Sequence, residues 1–184
     1  MRRYHPALVI LHWLLAVMIV AGLIMGTNVL SATPNDAPEK LFYLIMHMSM
    51  GIFIFILMTL RLGIRFFTAK PQAADIGNSL FNKLGTVTHY LFYLVVILMG
   101  ASGLAIASMA GLPEIVFGNS GVSLVSTFDD FPPRIAHGVL SKVLLILIVG
   151  HVSAFLYHQY VRKDNLFSRM WLGRCSSSSS EDQS

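Results

Sequence analysis

Four stretches of this chain are apolar for long enough to cross a bilayer, at about residues 7–30, 42–60, 88–110 and 135–157. Roughly 20 residues at 1.5 Å rise each cover the hydrocarbon thickness. Inside it every backbone N–H and C=O must be satisfied within the segment, so each stretch is expected to be a helix. The connections are too short for a soluble domain, and the sequence therefore predicts an all-α, integral membrane four-helix bundle. Charged residues make up 12% of the chain, about half the share of a soluble domain. The first stretch follows Arg2-Arg3 as the apolar core of a signal peptide would. It is longer than a typical leader core and carries His12 and Trp13, so it is read as a retained first span.

The formal net charge of +4 matters less than where the basic residues fall. An N-terminus on the cytoplasmic side puts Arg2, Arg3, Arg61, Arg65, Lys70, Lys83, Arg162, Lys163, Arg169 and Arg174 on that side. The opposite side receives Lys40 and Arg134, with Asp36, Glu39, Glu114, Asp129 and Asp130. A bias of ten basic residues against two predicts a multi-pass protein with both termini in the cytoplasm. The basic residues report topology, and the expected partner is the lipid bilayer rather than nucleic acid. Cys175 falls in the cytoplasmic tail, where no disulfide is expected. The serine run that follows it cannot bury a core, and 173–184 is expected to be a disordered tail.

The chemistry concentrates in histidine. Ionisable side chains are costly in hydrocarbon, so their default reading there is functional. His12 lies about five residues into the first span from the inner side, and His47 about five into the second from the outer side. His137 is near the outer end of the fourth span and His151 is fourteen residues deeper. That spacing is about 21 Å and nearly four whole turns, which puts both on roughly one face at two depths. Two pairs result: His47 with His137 on the outer level, and His12 with His151 on the inner. Opposed histidines suit the two axial positions of a haem iron and leave no open coordination site, an arrangement fitted to electron transfer. A tetrahedral zinc or copper centre needs three or four ligands converging on one point, which this separation does not provide. An interhelical hydrogen bond accounts for any one such histidine, but not for four at matched depths. A proton relay is expected to recruit Asp or Glu, and the spans contain none. With no Cys-x-x-Cys-His sequence, the expected cofactor is two non-covalent haem b groups with metal ligands His12, His47, His137 and His151.

Other polar residues have two readings each. His89 enters the third span at a depth comparable to His12, and His158 follows His151 by seven residues. Either suits a haem propionate, a quinone pocket or, for His89, ligation in place of an assigned histidine. Arg61, with Arg65, Arg162 and Lys163, fits inner-haem propionates or simple membrane anchoring. Lys142 lies inside the fourth span without an acidic partner there, and is read as snorkelling outward or as contacting outer-haem propionates or a quinone oxygen.

Ile10-Leu11-His12-Trp13-Leu14, the stretch from His47 to Arg65 with Leu60-Arg61-Leu62, and His89-Tyr90-Leu91-Phe92-Tyr93-Leu94 together have a familiar pattern. So does the run from His137 through His151 and His158 to Tyr160-Val161-Arg162-Lys163-Asp164-Asn165. Over residues 4–172 the chain resembles the bacterial cytochrome b561 family, including its superoxide oxidase member. More distantly it resembles the di-haem cytochrome b subunits of nickel–iron hydrogenases and formate dehydrogenases. The resemblance implies a four-helix transmembrane cytochrome b domain over 1–172, in the bacterial inner membrane. It also implies two haem b groups held by His12, His47, His137 and His151, with His89 and His158 significant in roles it does not define. Residues 111–134 match little of the family pattern, and the serine tail is extra.

The implied function is electron exchange between a periplasmic redox donor or acceptor and membrane quinone, with ubiquinone as the lipid partner. One form of it is oxidation of superoxide with electrons passed to ubiquinone. Against that form, the outer side carries five acidic residues and only Lys40, Arg134 and Lys142 to attract an anion. The alternative is a non-enzymatic haem subunit relaying electrons for a separate periplasmic dehydrogenase, reductase or c-type cytochrome.

Overall fold

The computed structural model describes residues 5–68, 79–118 and 121–163. Residues 69–78 of the 66–87 connection, including Pro71 and Gly77, and the whole 173–184 tail lie outside these residues. The chain forms α1 (Pro6–Ile24), α2 (Lys40–Phe67), α3 (Ser79–Met109), a short α4 (Leu112–Val116) and α5 (Pro132–Leu156). α1 runs on as a π-helix over Met25–Leu30, and α5 does the same over Tyr157–Val161. Four segments are long and apolar enough to span a membrane: Pro6–Leu30, Lys40–Phe67, Gly85–Met109 and Pro132–Val161. They exceed the sequence-derived spans mainly at the ends away from the 31–39 and 110–131 connections. Those connections define what we term the loop end of the bundle, and Pro6 and Val161 lie toward the terminal end.

Local chemistry sets the helix ends. Pro6 starts α1, and the His5 Nδ1 accepts a hydrogen bond from the Ala7 N–H at 3.3 Å, as an N-cap does. Pro132 and Pro133 open α5, where missing N–H groups cost nothing. Gly111, at φ 63°, takes the left-handed conformation that breaks α3 from α4. At the end of α1, Lys40 from the start of α2 donates to the carbonyls of Leu30 (2.6 Å) and Thr33 (2.5 Å). Lys40 is only 5% exposed. This residue, read from sequence as an outer topology marker, closes the carbonyl end of the preceding helix.

α5 packs along α3, α3 along α2 and α2 along α1. One core lies at mid-depth, where Leu15, Met58, Tyr93, Val96 and Leu144 meet. A second caps the loop end, where Leu44, Ala107, Leu112 and Val116 pack with Leu124, Val125, Phe128 and Phe131. The 111–134 connection is therefore a packed cap, and α4 within it was not foreseen from the sequence. Asn35 fastens the cap by donating from Nδ2 to the carbonyls of Val125 (2.9 Å) and Ser126 (3.3 Å). The outward faces are apolar: Val17, Phe53, Ile146 and Val149 are all well over half exposed. An apolar exterior around a small packed interior is the pattern of a bundle solvated by lipid.

Candidate functional site

The histidines gather at two levels. Toward the loop end, His47 of α2 faces His137 of α5 with ring centroids 6.3 Å apart and planes at 72°. Toward the terminal end, His12 of α1 faces His151 of α5, also at 6.3 Å, with planes at 69°. A metal–imidazole bond is about 2 Å, so two opposed bonds plus the reach of each ring from nitrogen to centroid span roughly 6 Å. Both pairs meet that requirement. Among the described residues no three His, Cys, Asp or Glu side chains converge as a metal-chelating group. On α5, Leu144 stands seven residues from each histidine and is 2% exposed, plugging the bundle between the levels.

The loop-end rings are seated by small residues and oriented by backbone. A Cβ on Gly26, in the π-helical end of α1, would stand 3.2 Å from His47 Cε1. A Cβ on Gly103 of α3 would stand 3.4 Å from His137 Cε1. His137 Nδ1 lies 3.2 Å from the Met99 carbonyl and 3.0 Å from Ser102 Oγ, while that hydroxyl donates to the same carbonyl at 2.8 Å. A carbonyl only accepts, so Nδ1 carries the proton and Nε2 keeps its lone pair for a ligand. His47 Nδ1 is buried without a hydrogen-bond partner among the described residues. A buried ring lacking its own polar partner is a reason to look for one supplied by a bound group. Both rings line a cavity of about 770 Å³ that runs to the loop end, within the range of cofactor sites. The donor set, the ring spacing and the glycine seats fit a haem.

The terminal-end level is more crowded. His89 of α3 stands 5.5 Å from His151, and Phe92 stands 5.4 Å from it, both edge to face. His151 thus has two imidazole neighbours, but only His12 repeats the 6.3 Å spacing of the other pair. Arg61, 8% exposed, donates to the Tyr93 hydroxyl at 2.9 Å and lies over that ring. Arg65 stacks on Tyr90 (5.4 Å) and Tyr93 (5.9 Å). Arg61 is near enough to put its charge on His12, His89 and His151. His158 sits apart on the π-helical end of α5, with its ring against Tyr157 at 5.9 Å.

Lys142 lines the loop-end cavity with Lys40 and Arg134, and among the described residues Asp129 is the one carboxylate on its wall. The acidic surplus counted along the sequence is therefore reversed where the cavity opens. Sequence reasoning missed the polar support of His137 and the seat at Gly26; for Gly100-Ala101-Ser102-Gly103 it gives close helix contact or room for a flat cofactor, and the fold sets Gly103 against His137. A glycine near a histidine in one helix does not say which neighbouring helix it will meet.

Known proteins resemble this chain in sequence. The chain is similar to cytochrome b561 homolog 1 of Escherichia coli (strain K12), 24% identical over 92% of this chain and 97% of that protein. It is 30% identical to the probable superoxide oxidase CybB of Yersinia pestis over 67% of this chain and 72% of that one. It is 25% identical to a cytochrome b562 of Cereibacter sphaeroides over 87% and 89% of the two chains. The model of the prokaryotic cytochrome b561 family matches residues 3–173. Four lipid-facing helices with histidines facing across the bundle, and a family match over nearly the whole length, make this chain a membrane-embedded member of the prokaryotic cytochrome b561 family.

Proposed function

We propose that the chain is a di-haem b electron-transfer protein of the bacterial inner membrane, exchanging electrons between a periplasmic redox partner and the quinone pool. The observation that carries this is the identical 6.3 Å spacing of His47–His137 and His12–His151. In this reading His47 and His137 hold one haem, and His12 and His151 the other. Each haem, once bound, supplies a one-electron iron couple. His137 is kept in the ligating tautomer by Met99 and Ser102. Arg61, fixed by Tyr93, places a positive charge beside the second site and favours the reduced state there. His89 lines that site next to His151, and His158, nearer the surface, suits a quinone headgroup. The positive-inside bias puts both termini in the cytoplasm and the loop end outside.

The 30%-identical relative named as a probable superoxide oxidase supports a finer form, superoxide:ubiquinone oxidoreductase. A relay subunit serving a separate periplasmic enzyme or c-type cytochrome is the alternative. The test is haem quantitation with a reduced-minus-oxidised spectrum of the purified chain, followed by assay with superoxide and a soluble ubiquinone. Two extractable haems per chain are expected; one or none overturns the paired-ligand reading. Reduction of quinone by the isolated chain supports the enzyme, whereas copurification with a redox subunit and no such activity supports the relay.

A further inference from the structure

The loop-end cavity collects positive charge that the protein itself leaves uncompensated. Three cations line it, Lys40, Arg134 and Lys142, against the single carboxylate of Asp129. The Lys40 ammonium has three donors, and the Leu30 and Thr33 carbonyls accept from it. Carbonyl dipoles satisfy donors but do not cancel a net charge, and no carboxylate pairs with Lys40 among the described residues. A buried charge in this state calls for a counter-ion. Arg134 does pair with Asp129, but at 3.8 Å and with the carboxylate side chain 83% exposed, which is a weak contact.

Arg134 also points the unexpected way. A cation at the end of a membrane helix ordinarily reaches outward to the headgroups. Its Nη1 instead stands 3.6 Å from where a Cβ on Gly138 would be, folded along α5 one turn deeper. Its charge bears on Lys40, His47 and His137 alike. Two cations from different helices thus line the cavity that holds the histidine pair, Lys40 buried and Arg134, with 39% of its side chain exposed, nearer the opening.

We infer that Lys40 and Arg134 form a dicarboxylate site at the loop-end mouth of the cavity, seating both propionates of the haem held by His47 and His137. This rests on the di-haem reading. Lys40 and Arg134 offer one cation to each of two propionates, and Asp129, 3.8 Å from Arg134 and 83% exposed, competes only weakly. Lys40 therefore joins three elements: the end of α1, the start of α2 and the cofactor.

The test uses the full-length protein in detergent, carrying haem labelled with carbon-13 at its carboxylates. Redox infrared difference spectra identify the propionate bands by their isotope shift, and haem transfer to apomyoglobin gives retention. Arg134→Gln should move the labelled bands and speed loss of one haem about tenfold. Lys40→Met should do the same, and because Lys40 also closes α1, Lys40→Arg should restore both readouts. Faster haem loss with unmoved labelled bands makes the cations structural and overturns the inference. Unmoved bands, with added azide or nitrate shifting the haem spectrum only when Arg134 is present, assign the cations to a free anion and overturn it too. A wild-type chain lacking haem at this level breaks the di-haem reading itself, whereas two haems with unmoved bands break only the propionate site.

Discussion

The His137 Nδ1 and the Met99 carbonyl oxygen stand 3.2 Å apart across the α3–α5 contact, and that distance decides which ring nitrogen is available to a metal. Ser102→Ala removes the second acceptor at 3.0 Å but leaves the carbonyl. Loss of a partner of this kind typically weakens metal binding roughly 10- to 100-fold, and with Met99 still in place the lower figure is expected. Electron paramagnetic resonance should show an altered signal for one low-spin ferric centre and an unchanged second one. Two unchanged signals would remove the orienting role.

Gly26 separates steric from electronic effects. Gly26→Val should force the His47 ring aside, because even a Cβ arrives 3.2 Å from its Cε1. Overpacking of about 1–3 kcal/mol corresponds to roughly a tenfold or greater loss of occupancy at that centre. Gly63→Ala, with nothing within 4 Å of the new Cβ, should leave both haems bound and stabilise α2 by about 0.5–1 kcal/mol. Equal haem content in the two variants would contradict the seating argument.

Ligand variants assign the levels. His47→Ala and His137→Ala should each abolish the same low-spin signal, and His12→Ala and His151→Ala the other. His89→Ala and His158→Ala should keep both. If His89→Ala erased a signal that His12→Ala spared, the 5.5 Å neighbour and not the 6.3 Å one would be the ligand.

The Arg61–Tyr93 bond couples stability to potential. Tyr93→Phe removes one acceptor of a buried guanidinium and should cost about 1–3 kcal/mol, read as a lower melting temperature. Arg61→Ala should lower the midpoint potential of the haem beside His12 and His151, since a nearby positive charge stabilises the reduced iron. Both irons should remain ligated. A raised potential would place the guanidinium in some other role.

Orientation is checked by reporter fusions. Fusions within 31–39 or 121–130 should report the periplasm, and fusions after residue 163 the cytoplasm. The reverse result would move the Lys40–Arg134 mouth to the cytoplasmic side and exclude a periplasmic partner there.

Much of this protein can be read along the chain because membrane helices obey one-dimensional rules. Apolar length sets the spans, and the fourteen-residue interval from His137 to His151 sets two depths on one face, since 3.6 residues make a turn wherever the helix lies. Depth alone matched His47 to His137 and His12 to His151, because a straight bundle leaves a side chain little freedom along its axis. Rotation about that axis is decided only when the helices pack. Which glycine meets which imidazole, that Met99 and Ser102 reach His137, and that His89 also approaches His151 all depend on side chains from helices far apart in sequence. The same holds for charge. Five acidic residues outnumber the outer cations in sequence, yet tertiary packing turns Lys40 and Arg134 into the cavity and leaves the carboxylates, Asp129 excepted, off its wall. Composition counts charges, but their field depends on where the fold puts them.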